Sequence, residues 1–368
     1  MKVKLGEYIQ EYSVRNKANE DIPVYSVTNT QGFCQDYFGK EVASKDKSTY
    51  KIVPRGYFAY NPSRINVGSV DWQRDEDQVI VSPLYNVFSV SPELNQQYLY
   101  YYLKSDFALH RIKAVATGSV RDNLKLEMLK NFPIRIPRVE EQEYIVQVLD
   151  KAKNIINLRR NELQKLDDLI KARFVEMFGT LHDNKKGFAV VTIEKVCSLI
   201  KDGTHQTPQY TEDKEEGYKF LSSKDVMTQK IDWTDIKYIP AELHEKLYAS
   251  IKPQRNDILM SKNGVNYGVA AVNDTDEVFD IYVSLALLRP KPMIDPVFFR
   301  CVINNHETKR QFDSSIKGIG VPNLHLGEIK KTKIILPPLE LQKEFVSFVA
   351  QVDKSKHHFS SSSLFSGF

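Results

Sequence analysis

The feature that most restricts the fold of this chain is a long-range repeat. The stretch Gly118–Leu149 reads GSVRDNLKLEMLKNFPIRIPRVEEQEYIVQVL, and Gly318–Val349 reads GIGVPNLHLGEIKKTKIILPPLELQKEFVSFV. The two align without a gap at a constant offset of 200 residues: Gly118 with Gly318, Asn123 with Asn323, Leu124 with Leu324, Ile134 with Ile334, Pro137 with Pro337, Glu140 with Glu340, Gln142 with Gln342 and Val146 with Val346. Chance matches apolar positions readily, but not Gly, Asn, Pro and Gln together in one run. Fainter echoes lie upstream, pairing Val3–Ile9 with Val191–Cys197, Val53–Ser69 with the region around Lys252–Ala271 (Gly68 opposite Gly268), and Val81–Val90 with Tyr282–Pro290. A chain of 368 residues exceeds one ordinary core. The repeat says how it divides: two copies of a mixed, strand-rich unit, each leading through a proline-punctuated junction into a helix.

The first of those helices is the longest element. Val139–Phe178 contains neither Pro nor Gly, and Gly179 follows as a C-cap residue. Ile145, Leu149, Ala152, Ile156, Leu163, Leu166, Ile170 and Met177 form a heptad seam, with Arg159 and Arg173 at two further seam positions. At 1.5 Å per residue the helix reaches about 55–60 Å. The second helix starts in the same register with Phe345, Val349 and Val352, but Lys356 then stands where Ile156 stood, and His357–Phe368 is Ser-rich with no heptad. The sequence therefore predicts a truncated second helix and leaves the far end of the first, Leu163 to Met177, without an intramolecular partner.

Strands are predicted at Val24–Val27, Tyr57–Tyr60, Val79–Val81 and Tyr85–Val90. One helix is predicted between Pro92 and Ala114, from the spacing of Tyr98, Leu99, Tyr102, Leu103 and Phe107, with a counterpart from Pro296 to Phe312. The polar stretch Leu181–Phe188 reads as a linker. The expected organisation is α+β: a first domain over 1–138, a spacer helix over 139–180, a second domain over 181–338, a short second helix over 339–356 and an irregular tail over 357–368.

Composition narrows the function mainly by exclusion. A net charge of +4 and a pI near 8.6 are compatible with nucleic acid without demanding it. Cys34, Cys197 and Cys301 offer no CxxC spacing and read as structural thiols, so no metal site is expected. No segment approaches ~18 apolar residues, and the N-terminal MKVKLGEYIQEY carries no signal-peptide run, so the expected location is the cytoplasm. There is no G-x-x-x-x-G-K-[ST] loop, and Asn61-Pro62-Ser63-Arg64 fails a methyltransferase pattern at its second proline. Gly318-Ile319-Gly320 is a lone GxG. No catalytic residues are expected.

With its halves in this order, the sequence resembles the specificity (S) subunits of type I restriction–modification systems. The resemblance covers nearly the whole chain and rests most on the junctions FPIRIPRVEEQEYIV and KIILPPLELQKEFV, with DGTHQTPQY (Asp202–Tyr210) and NPSRINVGS (Asn61–Ser69) in support. It implies two tandem mixed α/β target-recognition domains, separated by long helices that form an antiparallel coiled coil. It further implies a scaffold with no catalysis or cofactor of its own, in which each domain reads one half of a split double-stranded DNA target. Methylation subunits, which bind S-adenosylmethionine, are implied to dock on the helices, and a restriction/translocase subunit to join them; no membrane is involved.

In NPSRINVGS, Arg64 suits guanine O6/N7 and Asn61 or Asn66 an adenine edge, with Ser63 between them; the alternative is a surface turn leading into a strand. Thr204, His205 and Gln206 are candidate phosphate or base contacts, as are Lys262, Asn263 and Asn266 in the Gly-flexed SKNGVNYG. Arg121 and Lys317, beside Gly-containing turns, suit phosphates unless those turns only orient the helices. Three other readings compete: half of a fused restriction–methylation enzyme, which would need the missing methyltransferase motifs; a duplicated protein-interaction scaffold; and an inactive truncated allele of the specificity subunit.

Overall fold

The computed structural model describes residues 2–35, 46–116, 123–316 and 321–361. The chain divides into two compact units, Met1–Leu158 and Arg159–Phe368. In the first unit β1 (Val3–Lys4), β2 (Ile9–Glu11), β3 (Ser26–Thr28), β4 (Gly32–Cys34) and β5 (Lys51–Pro54) are followed by β6 (Phe58–Tyr60), β7 (Val70–Trp72), β8 (Gln78–Val81) and β9 (Asn86–Val90). Then come α1 (Gln96–Lys104), α2 (Asp106–Val115), α3 (Leu126–Lys130), β10 (Pro133–Ile134) and the long α4 (Val139–Phe178). The second unit continues with β11 (Ala189–Thr192), α5 (Ile193–Val196), β12 (Cys197–Asp202), β13 (Tyr218–Leu221), β14 (Lys237–Ile239) and α6 (Ala241–Ser250). It goes on through β15 (Ile258–Ser261), β16 (Ala270–Val272), β17 (Phe279–Ile281), β18 (Leu285–Pro290), α7 (Pro296–Ile303) and α8 (His306–Ser315). It closes with α9 (Leu326–Lys331), β19 (Lys333–Leu336) and α10 (Leu339–Ser361).

Each unit is built on a four-stranded antiparallel sheet, ordered β2-β9-β6-β7 in the first and β12-β18-β15-β16 in the second. Successive side chains on a strand face opposite ways. Phe58, Tyr60 and Phe88 accordingly join Leu99, Leu103 and Ile112 of the helices in one core, while Ala59 and Val87 join Val53, Val79 and Val81 in another. The second unit repeats this, with Ile258, Met260, Ala286 and Leu288 packing against Phe298 and Phe312, and Leu259 and Leu287 turned to the other face. A small antiparallel pair joins the start of each unit to the approach of its helix, Val3 opposite Ile134 and Val191 opposite Ile334. Among the described residues, only the second unit adds the sheet β14-β13-β17, in which β13 and β17 run parallel.

The junction residues act as clamps. Gln142 is buried and accepts from the Asn95 N–H at 2.8 Å while donating to the carbonyls of Glu93 at 2.8 Å and Pro137 at 2.9 Å. Gln342 accepts from the Asp295 N–H at 2.8 Å and donates to Met293 at 3.2 Å and Pro337 at 2.8 Å. The repeat is thus one set of hydrogen bonds made twice, tying each helix start to the loop that opens α1 or α7.

Several expectations need correction. The single helix from Pro92 to Ala114 is two, because Ser105 caps α1 through its N–H to Tyr102 O and its hydroxyl accepts from the Ala108 N–H to start α2. Its counterpart breaks likewise: the Asn304 amide bonds both the N–H and the carbonyl of Ala270, and Asn305 caps α8. The long helix expected over 139–180 is α4, Val139–Phe178, and the division between units falls inside it, between Leu158 and Arg159. The second helix does not stop at residue 356 but runs to Ser361, with no Pro or Gly in its course; residues 362–368 lie outside the described residues. Lys356 does not break it, because its ammonium bridges Asp353 one turn earlier at 3.2 Å and Asp167 of α4 at 2.6 Å.

The unpartnered end of α4 was also misplaced. Within the second unit α10 lies antiparallel to α4: Phe345 packs on Phe174 and Phe178, Glu344 pairs with Arg173 at 3.2 Å, and Lys356 reaches Asp167. Phe345, Val349 and Val352 are buried, Ile170 and Met177 pack on the same core, and Leu163 and Leu166 are half-buried. The seam residues left bare lie earlier: Leu149 is 38% and Ile156 52% exposed, Ala152 is exposed and Ile145 half-buried. A heptad pattern marks an apolar face without saying which part of it will be covered. Among the described residues no helix is long and apolar enough to cross a membrane.

Candidate nucleic-acid interface

In the first unit the chain leaving β6 forms a tight loop before returning as β7. The Asn61 N–H donates to Ser69 O at 3.2 Å, and the Asn61 side chain accepts from the Ser63 N–H at 3.1 Å. The loop sits on the turn before α3: the Leu124 N–H donates to Pro62 O at 3.1 Å, the Ser63 hydroxyl to Asn123 Oδ1 at 2.8 Å, and the Tyr60 hydroxyl to Leu124 O at 3.0 Å. Gly68 closes it at φ 89°, a left-handed conformation that a side chain would strain. These bonds orient Asn61 and Ser63, both half-buried, and leave Arg64 exposed at the tip, with Asn66 half-buried beside it. Among the described residues no carboxylate pairs with Arg64.

The second unit builds the same frame at the 200-residue offset. The Ser261 N–H donates to Val269 O at 2.8 Å, the Leu324 N–H to Lys262 O at 2.7 Å, and the Gly264 N–H to Pro322 O at 3.0 Å. Gly268 is left-handed at φ 86°, and a Cβ there would lie 2.9 Å from the Phe312 ring. Asn266 is exposed; Asn263 is half-buried, bridges to Asn323 through the backbone, and its Oδ1 accepts no hydrogen bond. Lys262 departs from expectation. It is only 4% exposed, and its ammonium is held by Asp202 Oδ2 at 2.7 Å.

The opening DGTHQTPQY is tied to the same place. The Thr204 N–H donates to Ile281 O at 3.1 Å, Thr204 O accepts from Val283 at 3.0 Å, and Thr204 Oγ1 accepts from the Gln206 N–H at 3.2 Å. His205 and Gln206 are exposed, with His205 Nε2 3.3 Å from Asp202. Asp202, which sequence reasoning passed over, therefore joins the two loops through Lys262 and His205. The acid that begins the motif was the available signal. Burial pushes its carboxyl up, but the hydrogen bond and charge of Lys262, with His205 behind them, outweigh this and hold it below the ordinary value. Arg121 and Lys317 lie outside the described residues.

This pair predicts an asymmetry. Asp202→Asn leaves a buried ammonium without its counter-charge and is expected to cost about 2–3 kcal/mol, whereas Lys262→Met removes the charge with its stem preserved and is expected to cost no more than about 1 kcal/mol. Because the folded carboxyl is depressed, its contribution is present above the ordinary carboxylate range and fades as pH falls through the lowered value. Urea titrations of both variants at pH 7 test this; equal losses would show that the ammonium is not held by Asp202.

Two units of one α+β design, each presenting an exposed loop from a sheet edge, define a duplicated protein. Residues 2–168 and again 185–360 match the type I restriction modification DNA specificity domain, and the chain belongs to that family. It is 22% identical over 277 residues to the MjaVIII specificity subunit of Methanocaldococcus jannaschii, covering 71% of this chain and 64% of that one, which is under two thirds of that relative's length. It is 21% identical over 348 residues to the EcoBI specificity subunit of Escherichia coli, covering 85% and 72%. Among solved structures, the type I restriction-modification S subunit of M. genitalium superposes with a TM-score of 0.50 at 14% identity, covering 98% of this chain and 91% of that one. A chain from a structure of type I R-M complex assembly does so with a TM-score of 0.50 at 18% identity, covering 98% and 93%. At these identities the structures speak to the fold alone.

Proposed function

We propose that this chain is the sequence-specific DNA-binding specificity subunit of a type I restriction–modification complex, without catalysis of its own. Each unit reads one half of a split duplex target. The observation that carries this reading is the frame built twice at a 200-residue offset with different side chains at its two tips, as two different half-sites require. Arg64 and Asn66 are the base-reading candidates of the first unit; Thr204, His205, Gln206, Asn263 and Asn266 are those of the second, with Arg121 and Lys317 for phosphates. The exposed apolar side chains Val148, Leu149, Ile155 and Ile156 of α4 offer a dock for methylation subunits, which bring S-adenosylmethionine, and the restriction/translocase subunit completes the complex.

The test is duplex binding by the chain co-purified with its methylation subunits. Lys and Arg contacts to phosphates make affinity fall steeply with salt, so binding insensitive to both salt and sequence would favour the protein-interaction scaffold instead. Arg64→Ala is expected to relax one guanine position in one half-site by about 10- to 100-fold and leave the other half-site unchanged. Guanine replaced by 7-deazaguanine at that position should weaken the parent protein and not the variant.

A further inference from the structure

The two loops share a frame but differ at the tip. At position 64 the first unit presents an exposed Arg, and Ile65 beside it is buried. The second unit has Gly264 there, and the next residue, Val265, is 83% exposed. Asn263 pairs with Asn323 and the Gly264 N–H donates to Pro322 O, and Val265 and Val321, the latter 80% exposed, are the next residues beyond that short pairing on its two sides. These are the two most exposed large apolar side chains among the described residues. Their position does not come from a loose end: the Ser261 hydroxyl donates to Asn266 O at 2.8 Å and the Leu324 N–H to Lys262 O at 2.7 Å, fastening the loop on both sides.

Two valines cover far too little surface for a protein partner, since stable interfaces bury about 800 Å² on each side. They do match the one apolar group that a base edge offers in the major groove, the thymine C5-methyl. The neighbouring exposed Asn266 carries the amide chemistry that recognises adenine, which thymine pairs with. Resting on the reading that this unit binds duplex DNA, we propose that Val265 and Val321 form an apolar tip that selects a thymine by its methyl group. The first half-site is then specified through a guanine by Arg64, and the second through a thymine by Val265 and Val321.

The experiment selects targets for the full chain, co-purified with its methylation subunits, from two random duplex libraries. One contains thymine and the other uracil, so they differ only in the C5-methyl. Arg64→Ala marks which half-site belongs to the first unit. In the other half-site, a thymine enriched from the first library should lose about three- to fivefold of its enrichment in the uracil library, the worth of one apolar carbon contact. Val265→Ala and Val321→Ala, with unfolding midpoints matching the parent, should show the same loss on thymine and none further on uracil. Identical selection from both libraries would overturn the proposal, as would a Val265→Ala loss equal on both, which marks a wedge or a non-specific contact. Recovery of no split target from either library would instead sink the DNA-binding reading itself.

Discussion

Replacing Gln342 with Leu is expected to destabilise the second unit by about 3–4 kcal/mol. The side chain is buried and makes three hydrogen bonds, accepting from the Asp295 N–H and donating to the carbonyls of Met293 and Pro337. Leu fills similar volume and satisfies none of them, and each buried backbone group left unpaired costs about 1–3 kcal/mol, partly relieved by water or relaxation. The damage also reaches α7, because Asp295 caps that helix by accepting from the Val297 and Phe298 N–H groups at 2.8 and 3.2 Å. Trp72 and Trp233 place one indole in each unit. In a Trp72→Phe background, Trp233 fluorescence during urea unfolding therefore reports on the second unit alone. A shift in midpoint worth less than about 1 kcal/mol at unchanged slope would show the clamp to be dispensable. Gln142→Leu should behave alike in the first unit, since its three bonds are the same.

Phe345→Ala is expected to cost about 4 kcal/mol, the other large effect. The ring lies 5.5 Å from those of Phe174 and Phe178 and 6.3 Å from Phe298, so its loss opens a cavity where α10, α4 and α7 meet. Phe345→Leu should recover more than half of the loss by refilling most of the volume. Ile156→Ala on the bare part of the same α4 seam should stay within about 0.5 kcal/mol, because that side chain is already in solvent. If Phe345→Ala and Ile156→Ala cost the same, α10 is not seated on α4 as described.

The contrast between Phe345 and Ile156 is a measure of what was legible in the sequence. Both stand on heptad positions, and periodicity alone treats them as equals. It named Ile170 and Met177 of α4 correctly as apolar but missed Phe174 and Phe178, the two rings that meet Phe345, because they fall off the 4-3 pattern. The same limit held at the candidate interface. Arg64 and Asn266 are exposed as their loop context suggested, while Lys262, equally polar and two residues from Gly264, turned inward.

By itself the sequence determined the duplication, the order of the units, the long helix and the places where the chain must turn. Gly68 and Gly268, Pro137 and Pro337, Gln142 and Gln342 each answer a local backbone demand that few other residues meet, so they recur at a 200-residue spacing and can be read directly. Only the tertiary structure decided which face of α4 is covered, that Lys356 continues its helix, that Lys262 belongs to Asp202, and that Val265 stands out in solvent. Lys262 meets Asp202 across 60 residues of chain and Lys356 meets Asp167 across 189, separations that no local pattern spans. The chemistry of a residue states what it can bind; the fold states what reaches it first.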